Sequence, residues 1–138
     1  MQISFSRQET YVPEWKGNKD LPEAEQFTVD LTLLTVEDLL FLLDAFSEAG
    51  IEGQVEVDLG LKELKPIVKT NGHLLPKYVI INNLRNEAGV EITINDVVEF
   101  PYFLSLAAEL LMKLADASNP SDDDTKNSNA LPVSEPTL

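Results

Sequence analysis

Apolar and polar residues alternate in two places early in the chain. Ile3 and Phe5 fall on one side of residues 2–7, and Phe27, Val29, Leu31 and Leu33 alternate with Thr28, Asp30 and Thr32. A period of two marks a half-buried strand, so both stretches are expected to be β and to pair with each other. Between them, residues 9–25 hold two prolines, Gly17, Asn18 and mixed charges, which predicts a long loop.

The period then becomes helical. Thr35 is placed to cap a helix over 36–49, with Asp38 three residues later, where free backbone N–H groups and the helix dipole favour an acid. Gly50 is placed to end that helix in a left-handed conformation. Val55 and Val57 suggest a brief strand, and residues 59–69 a short helix limited by Gly60 and Pro66. Residues 77–84, rich in β-branched and aromatic side chains, and the alternating 90–94 predict a β-hairpin across 85–89. A helix over 74–84 fits the same apolar run. Asn95 or Asp96 is expected to cap a final helix reaching about residue 115, with Pro101 in its first turn or at a kink.

From Asp116 onward the apolar period disappears into DASNPSDDDTKNSNALPVSEPTL. The expected architecture is therefore an α+β domain over 1–115, a small antiparallel sheet with two principal helices. A disordered acidic tail over 116–138 follows it.

Both helices carry more apolar surface than one stripe requires. Neighbouring helical residues lie about 100° apart, so LLFLL at 39–43 cannot share a face. Leu39, Leu40, Leu43 and Phe46 are expected to face the sheet, and Phe41 and Leu42 to point elsewhere. Over residues 100–115 the hydrophilic positions are Ser105, Glu109 and Lys113, spaced i, i+4, i+8, with Glu109 and Lys113 placed to pair. Phe103, Leu106 and Leu110 belong to the apolar remainder. Such a helix is either the centre of the domain's own core or a surface for a partner or a second copy. Its length, Pro101 and its two charges argue against a membrane span.

Charge narrows the partners. The 138 residues include 24 acids and 10 bases, a net charge of −14, which opposes binding to nucleic-acid phosphates or anionic membranes. Residues 35–63 alone hold eight acids and one lysine, either a solvated face or one complementary to a basic partner. The chain has no cysteine and a single histidine, His73, which excludes disulfides, thiol chemistry and thiolate or multi-histidine metal sites. Phosphate-loop, dinucleotide, zinc-protease and serine-hydrolase motifs are missing. Asp122, Asp123 and Asp124 lack the spacing of a calcium loop. The first residues carry no signal or transit pattern. These features point to a cytoplasmic, non-enzymatic protein without cofactor or metal, acting by binding other proteins.

Three stretches together carry a resemblance. They are Tyr11-Val12-Pro13-Glu14-Trp15-Lys16-Gly17-Asn18, running on through Leu21-Pro22-Glu23 and Glu25-Gln26; IINNL at 80–84 with Gly89 and Ile92-Thr93; and the apolar helix followed by an acidic Ser/Asp segment ending in Lys126-Asn127-Ser128. The arrangement resembles the small tail assembly chaperones of long-tailed bacteriophages. That resemblance implies a protein that coats the long helical tape measure protein, recruits tail tube subunits, and is absent from the finished virion. By this analogy Phe41, Leu42, Phe103, Leu106 and Leu110 are the expected contact residues. Members of that family are often strongly helical, whereas 77–94 reads here as a hairpin. Two other readings stay open: an acidic inhibitor or DNA mimic that binds a nuclease or DNA-binding protein, and a structural head–tail completion protein.

Overall fold

A computed structural model describes residues 1–48, 50 and 61–119, with side chains 61–64 excepted. The fold is α+β. Strand β1 (Gln8–Tyr11), strand β2 (Thr28–Thr32) and strand β3 (Val79–Asn82) form an antiparallel sheet in the order β1-β2-β3. Five α-helices accompany it among the described residues: α1 (Val36–Glu48), α2 (Leu61–Asn71), α3 (Leu74–Tyr78), α4 (Ile94–Glu99) and α5 (Leu104–Ser118).

The alternation of β2 decides the layering. Val29 and Leu31 are fully buried, while Asp30 lies on the outer face, where it accepts hydrogen bonds from Thr10 Oγ1 and Asn82 Nδ2 (3.0 Å each). Helix α5 lies at the centre of the core: Leu106, Ala107, Leu110, Leu111 and Leu114 have no exposed surface. Of the two readings left open for this helix, the described residues realise the first, a helix wrapped by its own domain.

Several expectations hold. Thr35 Oγ1 accepts from the Asp38 N–H, and Gly50 adopts a left-handed φ of 82° just past α1. The short helix predicted over 59–69 is α2, and the alternative helical reading of 74–84 is realised over α3.

Others are corrected. The first strand is not residues 2–7 but β1, because Glu9 and Tyr11 are anchored on α5 and set the register Glu9↔Leu31 and Tyr11↔Val29. The hairpin of 77–84 with 90–94 does not form. β3 pairs with β2 instead, and the later segment contributes only an Arg85↔Glu91 bridge. Asn83, with φ of 68°, turns the chain away from the sheet, and Thr93 is used as a helix cap. That cap, with Asp96 in a reciprocal capping box, replaces the expected caps Asn95 and Asp96. The expected final helix is two helices. Pro101 forces Phe100 into extended geometry (φ −103°, ψ 130°) and separates α4 from α5. α5 continues to Ser118, three residues beyond the expected domain boundary at 115. The expected strand at Val55 and Val57 and most of the tail (120–138) lie outside the described residues.

Candidate protein-binding surface

The polar stripe of α5 is met by β1 and by the loop that follows it. Trp15 Nε1 donates to Ser105 Oγ (3.1 Å), and Glu109 Oε2 accepts from both the Tyr11 hydroxyl (2.6 Å) and the Glu14 N–H (2.7 Å). Lys113 pairs with Glu9 at 3.0 Å and sits 5.2 Å from the centre of the Tyr11 ring. Burial and the adjacent Glu109 carboxylate push the Tyr11 phenol well above its ordinary pKa.

The loop is then closed on itself. Buried Asn18 donates to the carbonyls of Pro13 (2.8 Å) and Phe27 (2.9 Å) and accepts from the Phe27 N–H (2.8 Å). Lys16 and Gly17 both take left-handed φ values, 53° and 73°. For Lys16 this costs about 1–2 kcal/mol. Its ammonium lies over the rings of Trp15 (5.3 Å) and Tyr102 (4.9 Å), which offsets part of that cost. Tyr11, Glu14, Trp15 and Asn18 are thus fastenings of the fold, holding the β1–β2 loop against the central helix.

The expected contact residues divide sharply. Leu42, Leu106 and Leu110 are fully buried. Phe103 is buried against Trp15, with ring centres 5.6 Å apart. These four fill the domain's own core and offer a partner no surface. Phe41 alone of the five is exposed.

The difference within α1 has a local counterpart. The Asp38 carboxylate accepts from the Tyr78 hydroxyl (2.5 Å) and from Lys77 Nζ (2.9 Å), and these bonds hold it below the usual carboxylate range, the tyrosine contributing most. The Asp38 tie to α3 agrees with the rotation of α1 that buries Leu39, Leu42 and Phe46. Leu40, expected inside, is turned out.

What remains outside on α1 is a set of exposed apolar side chains. Val36, Leu40 and Phe41 are 74%, 55% and 49% exposed. Val36 and Leu40 are one turn apart on the same face, and the Phe41 ring lies 6.0 Å from that of His73 at the start of α3. Glu37, Asp44 and Glu48 share this face, all exposed, and none pairs with a cation among the described residues. The sequence reading missed Val36 and Leu40. The signal for Val36 was its spacing four residues before Leu40. For Leu40 there was none, because LLFLL fits two inward stripes equally well.

An aromatic corner forms a second exposed feature: Tyr102 packs edge-on to Trp15 and Phe103 at 6.0 and 5.1 Å. Among the described residues no group of His, Cys, Asp and Glu is arranged to hold a metal ion, and no helix is long and apolar enough to cross a membrane. No protein-family model matches this chain, and neither the curated proteins nor the solved structures contain a match to it.

Proposed function

We propose that this protein is a non-enzymatic assembly chaperone that binds an apolar, helical client along the outer face of α1. The observation carrying this reading is the exposure of Val36, Leu40 and Phe41 on the outer face of α1, a face they share with Glu37, Asp44 and Glu48. An amphipathic helix with basic flanks is the client chemistry that suits it, because the apolar side chains supply affinity and the carboxylates steer approach. The resemblance of the Tyr11–Asn18 and 80–84 stretches extends the proposal. The client is then a phage tape measure protein, the recruited partner is the tail tube subunit, and the site of action is the host cytoplasm.

Co-expression with the neighbouring tape measure and tail tube genes, followed by capture through a tag after residue 138, tests this. The expected result is recovery of both proteins, and loss of the tape measure protein with Leu40→Asp/Phe41→Asp at unchanged melting temperature. Equal recovery by that variant would contradict the assigned surface. Capture of a nuclease or DNA-binding protein instead, released by moderate salt, would favour the acidic mimic.

A further inference from the structure

Residues 1–7 precede β1 outside any helix or strand, their apolar positions alternate, and Ile3 and Phe5 are 78% and 69% exposed. The root of the segment is fixed. The Arg7 carbonyl accepts from the Leu33 N–H at 2.7 Å, and Ser6 Oγ both donates to the Gln8 carbonyl (3.0 Å) and accepts from the Gln8 N–H (3.3 Å). Those bonds pin the root of the segment at Leu33, between β2 and α1 and three residues before Val36. Yet the segment and the outer face of α1 leave one another uncovered within a single copy.

Their charges are complementary. Residues 1–8 contain Arg7 and no acid, whereas the α1 face carries Glu37, Asp44 and Glu48. Their positions also suit a reciprocal arrangement. Because the root of the segment adjoins the start of α1, a two-fold axis beside Leu33 carries each segment over the other copy's α1. Covering Ile3, Phe5, Val36, Leu40 and Phe41 from both copies buries on the order of 1,000 Å2, the lower bound for a specific interface.

We infer that residues 1–6 form an exchanged arm, laying Ile3 and Phe5 of each copy on Val36, Leu40 and Phe41 of a second copy. The arm shares α1 with the client proposed above, but its test contains no client, so either can fail alone.

Sedimentation velocity on the full chain, over a concentration series with the tag after residue 138, reads the oligomeric state. The wild type is expected to sediment as a dimer at tens of micromolar. Ile3→Asp/Phe5→Asp and, separately, Leu40→Asp are each expected to weaken the dimer at least about tenfold, while their monomers at high dilution melt at the temperature of the wild-type monomer. An equimolar mixture of the two variants retains one intact arm-on-α1 contact and is expected to recover part of the association. A monomeric wild type, a species larger than a dimer, or a dimer indifferent to either variant would overturn the inference.

Discussion

Helices α1 and α5 start from the same composition and end in opposite situations. Both are apolar well beyond a single stripe, and both carry their few polar residues at helical spacing. On α5 every polar residue of the stripe has a partner from the segment at 9–15, so a second segment lies along its hydrophilic side while its apolar side is buried. On α1 a single polar residue, Asp38, is tied down, and the opposite face is left apolar and open. Surplus hydrophobicity in a sequence therefore does not by itself locate a binding surface. What decides is whether the helix's polar residues are used to recruit another segment over it.

The strongest way to break this comparison is to cut both helices at matched positions. Leu110→Ala removes a fully buried side chain and is expected to cost about 2–5 kcal/mol in urea unfolding. Leu40→Ala on α1 is expected to stay within about 0.5 kcal/mol of the wild type. With the chain dilute enough to be monomeric, a large loss from Leu40→Ala would show that α1's outer face is covered within its own copy.

The fastening of the β1–β2 loop comes next. Glu109→Ala strips the acceptor from both the Tyr11 hydroxyl and the Glu14 N–H and is expected to cost about 1–3 kcal/mol. The chain's one tryptophan, Trp15, reports this loosening as a red-shifted emission.

The tie between α1 and α3 is sensitive to acid. Because folding lowers the Asp38 pKa, its contribution to stability is present above the ordinary carboxylate range and is lost as pH falls through the lowered value. Asp38→Asn is therefore expected to be less stable than wild type at pH 7, with the gap closing below about pH 4. For Tyr11 the sign is reversed. Its raised pKa adds stability below about pH 10 that disappears at higher pH, so wild type and Tyr11→Phe converge in strongly alkaline solution. A pH-independent gap in either series would remove that hydrogen bond from the account.

Much of the fold was legible because it rests on local patterns. β2, α1 with its Thr35 cap and Gly50 stop, and the apolar character of α5 all follow from period and end signals within about fifteen residues. The errors arose where a distant partner decides. Residues 2–7 alternate as well as any strand, yet β1 begins at Gln8 because Glu9 and Tyr11 meet Lys113 and Glu109 some hundred residues away. Residues 77–84 and 90–94 look like a hairpin, but β2 offers β3 an alternating partner whose Val29 and Leu31 are fully buried. The candidate site was half legible for the same reason. That one face of LLFLL is surplus follows from its length, whereas Leu40 rather than Leu42 being outside goes with Asp38 meeting Tyr78.

The central claim is that α1 is the open helix and α5 the closed one. Hydrogen–deuterium exchange of the chain, alone and with its captured client, tests it directly, because each helix reports separately. The account predicts new protection over residues 36–48 on binding and unchanged, already slow exchange over 104–115. Protection gained over α5, or exchange over α1 that does not change with client bound, would contradict it.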